Sequence, residues 1–235
     1  MRLISMPPGI GDGLWVVQKI INTKEKFVIR IPNGQPQRGK AVWDLLPQIT
    51  ESSYYDNLRF REVKYRNHAA SYVFWKDIKE KEIFLEANTH VEAGKRIEGF
   101  LPDLPTSFQL DFKTTPEQEK GADKFVSRVK YVHCRNIGIY CASYAGSQNW
   151  GTWGLEEWLK LVELLNTPLT TFVIIGASYD DLTQELFKKL EEKNIFAINT
   201  VGEDLGTTIE ILKRLDFFIG FPSGLSILNE LIRAI

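Results

Sequence analysis

Short apolar runs alternate with longer amphipathic stretches along this chain, most regularly in its second half. Ile137 to Cys141, Thr171 to Ile175, Ile195 to Ile198 and Phe217 to Phe221 are apolar runs of strand length, each followed by turn-forming residues. Between them, Leu155 to Leu165, Asp180 to Lys193 and Thr208 to Leu215 carry apolar residues at helical spacing. Strands alternating with helices in this way predict a parallel sheet. A last helix is expected from Leu225. In a parallel sheet the loops at the C-terminal strand ends share one rim, and ligands collect there. Here that rim would gather the loops Ala142–Gly151, Gly176–Ser178 and Pro222–Ser226.

The first half repeats the pattern less cleanly. Leu3 to Met6 reads as a strand, and Leu14, Val17, Ile20 and Ile21 share one face of a helix over Leu14 to Ile21. A strand follows over Lys26 to Ile31, a turn-rich loop over Pro32 to Gly39 and a helix over Ala41 to Leu46. Leu58 to Tyr65 alternates like a half-exposed strand. Lys81 to Glu86 is a further strand, with a helix expected from Val91 to Phe100. Thr115 followed by Pro116, Glu117 and Glu119 has the cap, first-turn proline and early acids of a helix reaching Val126. Ser127 to Asn136 reads as a hinge. The expected organisation is therefore α/β, with two Rossmann-like domains over residues 1–130 and 131–235 and parallel sheets in both.

Bulk properties narrow the function classes. A formal net charge of -1 and a pI near 6.3 give no global basic field, so a nucleic-acid partner is not favoured. The local basic stretch from Arg128 to Arg135 is the one place where a polynucleotide backbone would fit. The two cysteines, Cys134 and Cys141, form no CxxC pair, and His68, His90 and His133 are scattered without metal-ligand spacing. No metal site is expected, and a reducing compartment fits. No apolar run reaches the ~18–20 residues of a membrane span, and the N-terminus lacks a signal-peptide core. A cytoplasmic location is the expectation. The oligomeric state is not legible. Six tryptophans are many for 235 residues. Aromatic rings line sugar and base sites, yet most of these are expected in the core.

Two turns carry candidate chemistry. At Pro222-Ser223-Gly224 an apolar strand runs through a tight turn into a helix. Such a point offers free backbone N–H groups and the positive end of a helix dipole, which suits a phosphate. Ser223 can cap that helix and also offer its hydroxyl to a phosphate oxygen. Near the N-terminus, Gly9, Gly11 and Gly13 make a second strand–glycine loop–helix unit around Asp12. The spacing does not satisfy the dinucleotide fingerprint. Read from the residues alone, Asp12 is an N-cap in that loop, with catalytic base as the sharper alternative.

The ordered set of motifs resembles the glycosyltransferase family 9 heptosyltransferases. The set comprises Gly9-Ile-Gly-Asp12, Ile137-Gly-Ile139, Trp153-Gly-Leu-Glu-Glu-Trp158, Phe172-Val-Ile-Ile-Gly-Ala177, Val201-Gly202 and Ser223-Gly224. The likeness spans most of the chain and is densest from Ile137 to Ser226. It implies a GT-B-like fold of two Rossmann-like domains facing a cleft, the first taking the acceptor and the second a nucleotide sugar. It further implies Asp12 as general base, Gly9, Gly11 and Gly13 on the acceptor side, and Ser143, Gly176, Gly202, Glu203, Ser223, Gly224 and Leu225 around the donor. The implied reaction is an inverting, metal-independent transfer of a heptose or hexose from a nucleoside-diphosphate sugar to a glycan or other hydroxyl, with no cofactor beyond the donor.

The chain departs from the family pattern at four places. Pro222 stands where the family usually has an aspartate, Ile227 where it has a histidine, Gly151 where it has a lysine, and Tyr140-Cys141-Ala142 replaces His-Pro-Gly. These departures leave the donor open. The Gly-Leu-Ser turn looks more like the branch found in autotransporter heptosyltransferases and phage-encoded relatives. The sequence ends within the Leu225–Ile235 helix where the family continues, which fits either a compact version or a shortened chain. Three alternatives stand beside transfer to a glycan: glycosylation of phage DNA bases, a sugar epimerase of similar fold, and a non-catalytic nucleotide-sugar-binding module.

Overall fold

A computed structural model describes residues 2–5, 10–32, 40–55, 82–84, 103–126, 135–141 and 153–233. Among these residues, eight strands form two parallel sheets. The first contains β1 (Arg2–Ser5), β2 (Phe27–Pro32), β3 (Ile49–Tyr55) and β4 (Glu82–Phe84), in the order β3-β2-β1-β4. The second contains β5 (Arg135–Tyr140), β6 (Thr170–Ile174), β7 (Ala197–Asn199) and β8 (Phe217–Gly220), in the order β7-β6-β5-β8. Both orders are the 3-2-1-4 of the doubly wound sheet. The α/β class and the parallel sheets expected from the alternating pattern are present.

Two compact units result, one of Met1–Lys113 with Leu231–Ile235 and one of Thr114–Glu230. The division falls before the helix α3 (Pro116–Val126) rather than at residue 130, because that helix packs against α6 (Leu205–Lys213) of the second sheet. Gly121 and Gly206 allow this close approach. A Cβ on Gly121 would lie 3.3 Å from Thr207, and one on Gly206 would lie inside the Gln118 amide. Polar side chains then lock the pair. Gln118 Nε2 donates to Asp204 Oδ1 at 2.8 Å, and Thr114 Oγ1 donates to Glu210 Oε1 at 2.7 Å. Thr115 caps α3 as its sequence predicts: its hydroxyl accepts from Gln118 N–H, and Gln118 Oε1 accepts from Thr115 N–H at 2.9 Å.

The second unit is built on an apolar layer from β5 and β6 against α4 (Leu155–Leu165) and α5 (Asp181–Glu192). Every residue of β6 is buried, as a central parallel strand requires. Trp158, Leu159 and Val162 of α4 and Leu186 and Leu190 of α5 fill the layer. Gly138 lies where β5 meets Leu215, whose Cδ1 would clash with an added Cβ.

In the first unit, α1 (Ile10–Ile20) packs beside α2 (Lys40–Asp44). From Leu14 onward α1 is buried on several sides, Gln18 and Lys19 included. The 103–112 segment contributes to that cover: Ser107 N–H donates to the Gln18 carbonyl at 2.7 Å and Lys19 Nζ to the Leu104 carbonyl at 3.2 Å.

Two sequence expectations change here. Helix α1 begins at Ile10, not at Leu14, so Gly11, Asp12 and Gly13 are helical and not loop residues. Asp12 is the third residue of α1 and therefore not its N-cap. Strand β3 was not anticipated. The expected elements over 58–65 and 91–100, and the loop 33–39, lie outside the described residues, as do most of the hinge and most of the loop after β5. Among the described residues no helix is long and apolar enough to cross a membrane.

Candidate functional site

Strand order locates the crevice in each sheet. Chain order reverses direction between the first and fourth strands, and the ligand crevice of an open parallel sheet lies outside the strand ends at that point. In the second unit the switch lies between β5 and β8, where Tyr140 pairs with Gly220. The chain leaves β8 there and enters α7 (Gly224–Arg233) through Phe221, Pro222 and Ser223.

The Ser223 cap predicted from sequence is present. Its hydroxyl accepts from Ser226 N–H at 3.4 Å, and its carbonyl accepts from Ile227 N–H at 3.0 Å. Ser226 Oγ turns back to the Phe221 carbonyl, which fixes the turn from both sides. Helix geometry leaves the N–H groups of Gly224 and Leu225 without an intrahelical acceptor. Ser223, Gly224, Leu225 and Ser226 are all partly exposed. The turn thus presents a positive dipole end and the Ser223 hydroxyl proton at the rim.

The neighbouring loops tie to one another. Gly202 N–H donates to the Gly176 carbonyl at 2.9 Å, joining the ends of β6 and β7. Gly202 has φ +89°, and a Cβ there would meet Ser178 at 3.5 Å. A side chain is therefore strained at this position whatever the space. Gly176 is needed for a different reason: an added Cβ would come within 3.0 Å of Thr183 and 3.2 Å of Asp180 Oδ2. Asp180 Oδ2 accepts from Ala177 N–H at 2.8 Å and so closes the loop after β6. Glu203 is exposed beside Gly202. Gly176, Gly202 and Glu203 are thus brought together at one end of the sheet, the end at which β8 delivers Ser223, Gly224 and Leu225. Ser143 lies outside the described residues.

Beneath the rim, Cys141 Sγ lies 3.4 Å from Thr183 Oγ1. Burial pushes this thiol up to about 12, with nearby Asp180 adding to the rise. A thiol so protonated is no nucleophile.

An aromatic row borders the turn. Trp158 meets Phe221 edge to face at 5.3 Å and Trp153 at 5.8 Å. Trp158 and Phe221 are buried, whereas Trp153 is 43% exposed. Trp153 and Trp158 flank the N-terminus of α4, where Gly154 is the N-cap. Glu157 Oε2 accepts from Gly154 N–H at 2.8 Å, and the apolar residues on either side of that cap pack together as a staple.

In the first unit the switch lies between β1 and β4, and α1, which carries Asp12, follows β1. Gly13 brings α1 onto the buried Trp43, whose ring would lie 3.1 Å from an added Cβ. Gly11 is partly exposed near the helix start. Gly9 lies outside the described residues. Among the described residues no three His, Cys, Asp or Glu side chains gather as a metal-binding group.

No family model matches the sequence, and no curated protein matches it. Solved structures do match. A glycosyl transferase family 9 protein from Veillonella parvula covers 97% of this chain and 77% of its own, at 14% identity and a TM-score of 0.64. E. coli ADP-heptose lps heptosyltransferase II matches over 99% of this chain and 82% of its own, at 14% identity and 0.57. E. coli heptosyltransferase WaaC, solved with ADP-2-deoxy-2-fluoro heptose, matches over 99% and 86%, at 13% identity and 0.55. Identities this low speak to the fold, and the resemblance read from the motifs holds at that level: this chain has the GT-B-like α/β fold of the family 9 glycosyltransferases.

Proposed function

We propose that this protein is a glycosyltransferase that moves a sugar from a nucleoside-diphosphate donor to a hydroxyl of a glycan-type acceptor, with inversion and without a metal. The observation that carries the reading is the capped N-terminus of α7 at the β5–β8 switch point of a sheet with this fold. The solved likeness to a heptosyltransferase bound to an ADP-heptose analogue supports a nucleotide sugar as the ligand class.

The chemistry divides between leaving group and nucleophile. As the anomeric carbon–phosphate oxygen bond breaks, negative charge grows on the departing diphosphate. The Gly224 and Leu225 N–H groups, the α7 dipole and the Ser223 hydroxyl stabilise that charge. Gly176, Gly202 and Glu203 line the nucleoside side. The acceptor oxygen bonds to the anomeric carbon on the opposite face, and its proton passes to the Asp12 carboxylate. Gly11, partly exposed at the start of α1, precedes that acid, whereas Gly13 is buried against Trp43 and serves packing, not the acceptor.

A thermal-shift panel of ADP-, UDP-, GDP- and CDP-sugars tests the reading. A donor at a hundred times its Kd stabilises the native state by about 2.7 kcal/mol, a rise of several degrees for a chain of this size. One base class should stand out. No shift with any member would overturn the proposal.

A further inference from the structure

The exposed end of the aromatic row does more than fasten a helix. Trp153 precedes the cap residue Gly154 and packs on Trp158, four residues into α4, as a staple does. A staple needs only an apolar side chain, and leucine would serve. An indole in this place leaves Trp153 43% exposed, on the chain that arrives from β5 at the ligand-binding end of the sheet.

Its orientation is fixed from behind. The Trp153–Trp158 contact is edge to face at 84°, so Trp153 gives its neighbour one edge or one face and keeps a whole face clear of ring contact among the described residues. The Trp158–Phe221 contact carries the row on to the residue just before Pro222 and Ser223. A flat apolar platform and an anion cradle are thus linked through two rigid ring contacts. A ligand with a planar base at one end and a diphosphate at the other has the matching chemistry.

We propose that Trp153 is the base platform of the donor site: the nucleobase stacks on its open face while the diphosphate sits at Ser223, Gly224 and Leu225. This rests on the nucleotide-sugar reading above and adds the group that holds the base. Stacking grips every base, since each has a π-face. Trp153 therefore sets affinity for nucleotides over plain phosphates and leaves base identity to groups that read its edge.

Calorimetric titration of the full chain with ADP, UDP, GDP, CDP and inorganic pyrophosphate tests this in the wild type, Trp153→Leu and Trp153→Tyr. Leucine keeps the staple, so the melting temperature should hold within a few degrees. Trp153→Leu should weaken whichever nucleoside diphosphate binds the wild type by roughly ten- to a hundred-fold. Trp153→Tyr should recover most of that loss, and pyrophosphate affinity should be alike in all three proteins. Nucleotide affinity unchanged in Trp153→Leu overturns the inference and leaves the transferase reading standing. Equal losses for pyrophosphate and nucleotide also overturn it, because the ring would then act only by holding the turn. A wild type that binds none of the four nucleotides takes down both readings.

Discussion

The two sheets share one strand order, yet the helix pairs described beside them meet through different contacts. In the first unit, α1 meets α2 through apolar shape: Gly13 of α1 sits against the ring of the buried Trp43. In the second, a polar clamp holds α3 to α6. Glu210, 6% exposed, accepts from Thr114, Lys213 and Arg214, and Arg214 also reaches Asp123 at 3.0 Å. Topology therefore does not dictate chemistry. The switch points differ likewise. Asp12 lies in the first turn of α1, which opens with the partly exposed Ile10 and Gly11 and is buried at Gly13, Leu14 and 16–20, whereas α7 opens with four partly exposed residues. In the second unit, Gly224 and Leu225 offer backbone donors at the rim.

The clamp is the part most easily broken. Glu210→Ala leaves two cations without their buried acceptor and should cost about 2–3 kcal/mol, below the full buried-pair value because Arg214 and Lys213 are partly solvated. That is a fall in melting temperature of roughly 5–10 °C. The clamp also predicts a pH dependence. Partial burial works to raise Glu210, but hydrogen bonds from Lys213, Thr114 and Arg214 outweigh it and bring the carboxyl from 4.5 down to about 2. A folded value below the unfolded one means the stabilisation is complete above about 4.5 and is lost as pH falls towards about 2. Denaturant titrations of wild type and Glu210→Gln should converge across that window. Parallel curves would show that the charge contributes nothing.

Crowding substitutions sharpen the contrast. Gly138→Ala forces Leu215 out of its place in the second unit and should cost about 1–3 kcal/mol. Gly13→Ala pushes a rigid indole by only a few tenths of an ångström and gains helix propensity worth about 1 kcal/mol. Its net loss should be the smaller, below about 1 kcal/mol. Chemical denaturation decides the order, and a reversal would mean that Trp43 is the stiffer neighbour. Ser223→Ala removes the α7 cap and should cost about 1 kcal/mol while weakening donor affinity. Unchanged donor affinity would separate the cap from the ligand site.

The second unit was the more legible in sequence because its helices are amphipathic and its strands buried. Leu155–Leu165 matches its apolar spacing residue for residue, and Thr115 caps α3 as its neighbours foretell. Strand β3 escaped notice because Ile49-Thr-Glu-Ser-Ser-Tyr-Tyr is an edge strand, paired on one side and largely polar. Helix α6 starts three residues before its apolar pattern. Asp204 caps it through Thr207, and the small residues Gly206, Thr207 and Thr208 are buried against α3, where size matters more than hydrophobicity. Helix α1 starts before its apolar pattern because Gly11 and Gly13, which by propensity suit a loop, are helical, and Gly13 makes room for Trp43. Among the site residues, Ser223 was readable from local turn chemistry. The role given to Asp12 comes from the family resemblance, and Trp153 stands in the sequence only as part of a family motif, with nothing local that marks its ring as exposed.

In the proposed transfer, the second unit binds the donor and Asp12 of the first takes the proton. Comparing Asp12→Asn with wild type, using the donor found by thermal shift, tests it most directly. Donor affinity should be nearly unchanged, while release of nucleoside diphosphate in the presence of acceptor glycan should fall by about 10²- to 10⁴-fold. Wild-type turnover in Asp12→Asn would contradict the account.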